Sequence, residues 1–289
     1  MIVLKYLLDP IKVIIKLLIY KIKNINKPLR ITFTEQKSRK ALIMGNGPSL
    51  NNDLPKILNY SKNDCDFYSV NFFANTETFY QIKPNHYFLA DKLFWSSNLN
   101  DDFNSLVNST YDTLSKVDWK ISILCPESGF NFIKSKLSSN SNFSFIKIPD
   151  RPINLASEGI YLKLLKKRFF SIPNVNSVVT LIWYSILCNY KEVSLYGIDF
   201  SGFKTIEVDQ KTNEVYVPIK HFYNNSKAEE NSANKYLNQK NKTLSQRLFQ
   251  NYIVFKYLDL LSKMAVLKGI KILNKSSFSF VDSFKRSKK

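Results

Sequence analysis

The chain has few cysteines, few histidines and few acids. Its three cysteines, Cys65, Cys125 and Cys188, are odd in number, far apart and never in a C-x-x-C pair. That excludes a disulfide-stapled scaffold and a cysteine-held zinc site, and it fits a reducing compartment. Imidazole chemistry has two candidates, His86 and His221. There is no Gly-Lys-Ser/Thr sequence, which excludes a P-loop. No uninterrupted apolar run reaches the roughly 20 residues that span a bilayer, and no small-residue cleavage site marks a signal peptide. No internal repeat is visible.

Acids are outnumbered by bases, 23 Asp and Glu against 42 Lys and Arg, for a net charge of +19. Such a balance favours anionic partners: phosphates, acidic glycans, nucleic acid or anionic lipid. Lys, Asn and Ile are abundant throughout, so background composition accounts for part of that charge. No nucleic-acid-binding motif accompanies it, and nucleic acid is not an expected partner. The 289 residues, 44% hydrophobic and 14% aromatic, suffice for one large domain or two small ones with a full core.

The most informative stretch is Ala41-Leu42-Ile43-Met44-Gly45-Asn46-Gly47-Pro48-Ser49-Leu50. Four apolar residues run into Gly-Asn-Gly and a helix-compatible segment, the pattern of a buried strand, a tight turn and a helix. Glycine there is expected to permit positive φ and close approach of a ligand to the backbone. Asn46 and Ser49 add short polar groups at the carboxyl end of a strand, where open α/β sheets bind nucleotides. Leu50 stands where the dinucleotide fingerprint has its third glycine, so the motif is not the full fingerprint.

Further strands are expected at Phe67–Asn71, His86–Asp91, Ile121–Cys125, Phe143–Ile148, Lys191–Phe200 and Ile270–Asn274. Helices are expected at 177–188 and 248–268, the second capped by Gly269. The alternation predicts an α/β fold, a Rossmann-like and mostly parallel sheet flanked by helices. Strand-end polar residues Asn46, Ser49, Asn71, Asp91, Asp199 and Asn274 then converge on one rim. Residues 201–247 are polar and aperiodic, as expected of a lid or binding loop. Asp64-Cys65-Asp66 matches the Asp-x-Asp of many metal-dependent sugar transferases, but it precedes a strand and reads as a polar strand entry. His86 opens an apolar strand and reads as structural.

Residues 1–33 form a separate amino-terminal unit. Lys5, Asp9, Lys12, Lys16 and Lys23 share one helical face, and Leu4, Leu7, Leu8, Ile11, Ile14, Ile15, Leu18 and Ile22 fill the rest. Asp9-Pro10 suits an N-cap and first helical position. Such a helix is expected to lie on an anionic membrane surface, with packing on the domain or pairing with a partner, a second copy of the chain included, as the alternatives. A basic linker from Thr34 to Lys40 leads to the first strand, and residues 285–289 form a basic tail.

Gly45-Asn46-Gly47-Pro48-Ser49-Leu50, Val70-Asn71-Phe72 and Tyr190–Phe200 with its Gly197-Ile198-Asp199 together resemble bacterial sialyltransferases. These are the Campylobacter and Haemophilus lipooligosaccharide enzymes, glycosyltransferase family 42, with a wider group of motility-accessory-factor and pterin pyrophosphokinase-like proteins. The resemblance covers about Lys40 to Phe284. It implies a single transferase domain over 40–284, using a CMP-activated acidic sugar (sialic acid, a related nonulosonate or Kdo) on a glycan or glycolipid acceptor. It implies an inverting transfer without a metal or other cofactor, at the cytoplasmic face of the inner membrane, building capsule, O-antigen or lipooligosaccharide. It also implies that Gly45, Asn46, Gly47, Pro48 and Ser49 meet the nucleotide and phosphate, and that Asn71 and Ser177, preceded by Asn176, line the donor. His221 corresponds to the lid base, with Tyr216 and Tyr223 as phosphate-binding tyrosines. Asp199 either positions the acceptor or caps a helix. Where the family has an asparagine after the third strand, this chain has Ala90 and Asp91, which leaves the sugar-facing wall different. A pterin-type pyrophosphokinase and a non-catalytic scaffold of polysaccharide assembly stand as the alternatives.

Overall fold

A computed structural model describes residues 8–22, 36, 39–97, 99–154, 157–217, 221–222 and 243–287. Helix α1 (Asp9–Ile22) precedes β1 (Lys40–Met44), α2 (Leu50–Leu58), β2 (Cys65–Val70), α3 (Glu77–Ile82) and β3 (His86–Phe88). Then come α4 (Asp101–Ser115), β4 (Ile121–Pro126), α5 (Phe130–Leu137), β5 (Phe143–Ile148), α6 (Glu158–Lys166), α7 (Ser177–Leu187) and β6 (Glu192–Tyr196). A two-stranded hairpin, β7 (Glu207–Val208) with β8 (Val215–Tyr216), leads towards α8 (Leu244–Leu267), β9 (Lys271–Asn274) and β10 (Lys285–Arg286).

The eight long-sheet strands lie in the order β10-β9-β6-β1-β2-β3-β4-β5, and every pairing is parallel. Central strand β1 is buried on both faces. Ala41 and Ile43 point into one apolar layer with α6, α7 and α8; Leu42 and Met44 point into the other with α2, α3, α4 and α5. That two-sided burial is why Ala41 to Met44 read as an unbroken apolar run rather than an alternation. Each fully buried Leu, Ile or Met contributes about 1.5–3 kcal/mol. Helix α7 is buried from Val178 to Leu187, which explains its lack of charged residues. Helix α8 opens with a capping box, Thr243 with Gln246.

Three boundaries depart from the sequence reading. Strands β3 and β6 stop at Phe88 and Tyr196, so Asp91 and Asp199 lie in the turns beyond them. Lys285 and Arg286, expected in a basic tail, pair with Leu273 and Asn274 as an edge strand. Arg286 is held there by donating Nη2 to the Ser276 carbonyl at 2.6 Å. Among the described residues no helix is long and apolar enough to cross a membrane.

Candidate functional site at the carboxyl rim

Strand order locates the site. From β1 the chain proceeds through α2 to β2 on one side, whereas from β6, the other neighbour of β1, it proceeds to β9 on the opposite side. The crevice beyond the carboxyl ends of β1 and β6 is therefore the topological switch point, where open α/β sheets bind ligands. Gly45 to Ser49 leave β1 there, and Gly197 to Asp199 leave β6 there.

The two turns are packed directly on each other. Gly45 N–H donates to the Tyr196 carbonyl at 2.8 Å, and Gly47 N–H to the Gly197 carbonyl at 2.9 Å. A Cβ on Gly45 would stand 2.5 Å from the Gly197 oxygen, and one on Gly47 would stand 2.4 Å from Asp199 Oδ1. Positive φ, the expected reason for these glycines, is not the reason: among the described glycines it occurs at Gly197 and Gly269. Gly45 and Gly47 are glycine because the neighbouring turn fills the space a side chain would need. Asn71 instead takes the left-handed conformation, at φ 49°, where β2 ends.

Asp199 closes this junction. It is buried, and it accepts from the Ser49 N–H at 3.0 Å and from the Ser49 hydroxyl. Burial pushes its pKa up, and the two Ser49 hydrogen bonds oppose that shift. Asp53, in the first turn of α2, is also buried; its Oδ2 accepts from the Ser277 N–H at 2.9 Å, and burial raises its pKa too. Asp53 thus already places a carboxylate in the first turn of α2. The N–H groups of Leu50, Asn51 and Asn52 are spent on the carbonyls of Gly47, Pro48 and Ser49. Of the backbone amides in the turn itself, those of Gly45, Gly47 and Ser49 are likewise spent within the protein.

Asn46 faces the other way. Its Nδ2 donates to the Val70 carbonyl at 3.3 Å, while its Oδ1 is buried with no hydrogen-bond partner. A buried amide oxygen left unmatched costs about 1–3 kcal/mol. The Asn46 carbonyl holds the His221-Phe222 pair: Phe222 N–H donates to it at 3.0 Å, and the His221 imidazole hydrogen-bonds to the Asn46 backbone. Asn51 Nδ2 donates to the Phe222 carbonyl at 2.8 Å, and the Phe222 ring lies 5.4 Å from Phe73. Burial lowers the His221 pKa below 6.5, with the Asn46 hydrogen bond opposing. His221 is thus a neutral imidazole at pH 7, seated on the switch-point turn.

Other rim asparagines stitch the strand ends together. Asn71 Oδ1 accepts from the Ala90 N–H at 2.9 Å, and the Ala90 carbonyl accepts from Asn174 Nδ2 at 3.0 Å. Asn174 Oδ1 then accepts from Thr180 Oγ1 at 3.0 Å, and Asn176 caps α7 by accepting from the Val178 N–H at 2.9 Å. This belt brings Asn71, Asn176 and Ser177 to the side of the rim reached from Asn46 through Val70. Asp91 is exposed and caps a 3-10 turn through the Leu93 N–H at 3.1 Å. Tyr216, on the β7–β8 hairpin, donates its hydroxyl to Glu214 at 2.7 Å. Tyr223 lies outside the described residues. Pro48 is exposed beside Ser49. Sequence reasoning missed Asn51 and Asn174, which look like any other asparagines of this Asn-rich chain.

The opposite edge of the sheet carries a cavity of about 500 Å³ near Arg39, Asp66, His86 and Lys120. Asp66 is committed there: it takes Arg39 Nη2 at 2.5 Å and the Tyr190 hydroxyl at 2.7 Å. His86 stacks on Tyr68 with ring centroids 4.3 Å apart, and burial pushes its pKa down to about 4. Strand starts are not where open parallel sheets place ligands, so the carboxyl rim is the candidate site. Among the described residues no three His, Cys, Asp or Glu side chains are grouped to hold a metal.

No family model and no curated relative matches this sequence. Among solved structures, one described as a MAf glycosyltransferase from Magnetospirillum magneticum AMB-1 is similar, with a TM-score of 0.44 and 10% identity over 90% of this chain. The chain spans 35% of the length of that protein.

Proposed function

We propose that the chain is a glycosyltransferase that binds a CMP-activated acidic sugar at the β1–β6 switch point and transfers it to a glycan or glycolipid acceptor. The observation that carries this reading is Asn46: its side-chain oxygen is buried and unmatched, and its carbonyl seats His221. An amide oxygen there takes a ligand's N–H or O–H, which cytosine's amine and the ribose hydroxyls supply. The resemblance of the Gly-Asn-Gly and Gly-Ile-Asp turns to the sialyltransferases supports the same ligand class. With the α2 amides spent, the phosphate goes to the first turn of α7 at Ser177, whose helix dipole points its positive end at the rim.

His221 acts as the base. An imidazole that donates one N–H to a carbonyl is held in one tautomer, and the neutral ring is basic at its second nitrogen. It takes the proton of the acceptor hydroxyl as that oxygen bonds to the anomeric carbon and the bond from that carbon to the CMP oxygen breaks. Attack opposite the leaving phosphate inverts the configuration. Donor binding is checked with a thermal-shift panel of CMP, UDP, GDP and ATP, with and without Mg²⁺. Selective stabilisation by CMP supports the reading. Stabilisation by ATP with Mg²⁺ selects a pyrophosphokinase-type transferase instead, and no stabilisation by any nucleotide selects a scaffold.

A further inference from the structure

Helix α1 is attached to the domain by its polar side. Asp9 is fully buried and accepts from the Ser157 N–H at 2.5 Å, just before α6 begins. One turn on, Val13 is partly buried against the core layer of α6, α7 and α8. On a helical wheel these two residues lie opposite Ile11, Ile14, Ile15 and Leu18. Those four are 50%, 57%, 50% and 54% exposed, and Leu8 and Ile19 beside them are 40% and 39% exposed. Lys12, which pairs with Asp9 at 3.2 Å, and Lys16 border this apolar arc. A helix that belonged only to the domain would turn its apolar arc inward. This one is fixed with that arc outward, and an external apolar phase would relieve the cost of exposing it.

We infer that α1 seats the domain on an anionic lipid bilayer, lying in the headgroup layer with Ile11, Ile14, Ile15 and Leu18 inserted. Charge selects this occupant. Residues 1–27 carry six lysines and one aspartate, within a chain of net charge +19. An apolar arc bordered by lysines is the pattern of an interfacial helix, whose binding combines apolar insertion with attraction to anionic headgroups. The Asp9–Ser157 hydrogen bond gives the helix a fixed orientation against α6, so insertion also orients the domain.

The test is flotation of the full chain with vesicles of phosphatidylcholine alone or phosphatidylcholine with phosphatidylglycerol, compared with the triple variant I11Q/I14Q/L18Q. The wild type should float with the phosphatidylglycerol vesicles, less with neutral ones and less at high salt. The variant should lose ~10-fold or more of its partitioning, since three inserted side chains are removed from the apolar phase. Its melting temperature and CMP response should match the wild type, because the three positions are exposed; those readouts keep this inference separate from the proposed donor site. Wild-type protein that stays with the buffer, or a variant that floats equally well, overturns it. So does a wild-type dimer that the variant dissociates while neither binds vesicles, which makes a second copy the occupant.

Discussion

The two edges of the central sheet use similar residues to different ends. At the amino edge Asp66 is saturated by Arg39 and Tyr190, and Tyr190 passes its network on to Tyr68 at 2.9 Å. There the polar groups hold strands together around a space, and His86 Nδ1 beside it is also buried with no hydrogen-bond partner. At the carboxyl rim Asp199 is equally saturated, by Ser49, but it makes a firm floor for a turn on which Asn46 keeps an unmatched oxygen. Topology makes the rim the candidate site, and an unmet hydrogen-bond acceptor lies there next to a seated imidazole.

Substitutions at the two edges sharpen or break this contrast. The largest effect belongs to His221→Ala, which should lower turnover by about 10²–10⁴-fold while changing CMP affinity little. Because burial holds the His221 pKa below 6.5, wild-type turnover should persist as pH falls past 6.5 and decline only as the ring protonates at its lowered pKa. A profile whose acid limb sits at or above 6.5 would remove His221 from that role. Next, Asn46→Ala should weaken CMP binding by about tenfold or more, the equivalent of one buried hydrogen bond at about 1–3 kcal/mol. Its counterpart Asp66→Asn should destabilise the fold by about 1–3 kcal/mol and leave CMP binding unchanged. If the nucleotide titrations come out reversed, the site is at the wrong edge.

Of similar size and also structural is Gly47→Ala. The new Cβ meets Asp199 Oδ1, so a loss of about 1–3 kcal/mol and a clear drop in melting temperature are expected. The smallest effect is a slope. Asp53 has a raised pKa from burial, so the folded chain holds more protons than the unfolded chain between the ordinary value of 3.8 and the raised one. Its contribution to stability therefore falls as pH rises through that window. Melting curves of Asp53→Asn should lose that part of the decline.

Much of the sheet is legible in the sequence because its cause is local. Two-sided burial writes the apolar run at Ala41–Met44, the alternation Phe143-Ser144-Phe145-Ile146-Lys147-Ile148 marks a half-buried edge strand, and the α7 run from Val178 is plainly internal. Less legible are features made by partners far away in the chain. Lys285-Arg286 carries no strand signal, and it pairs because Asn274 and Leu273 offer an open edge. Ser49 and Asp199 are 150 residues apart, so nothing near Ser49 announces that its N–H is spent. The Gly-Asn-Gly turn reads as one that needs positive φ; Gly45 and Gly47 are instead glycine because Gly197 and Asp199 fill the space beside them. His221 is marked by its place in a polar lid segment, and the structure adds its contact with Asn46. Asn174 leaves no mark, since its role depends on the end of β3.

The central claim is that Asn46 at the β1–β6 switch point receives the nucleotide. The most direct measurement is CMP binding to wild type and to Asn46→Ala by thermal shift, with Asp66→Asn as the control at the other edge. At about 100 times the dissociation constant, CMP should stabilise the wild type by roughly 2.7 kcal/mol. The account predicts that Asn46→Ala loses most of this and Asp66→Asn keeps it. A CMP response that survives Asn46→Ala and disappears in Asp66→Asn would contradict it.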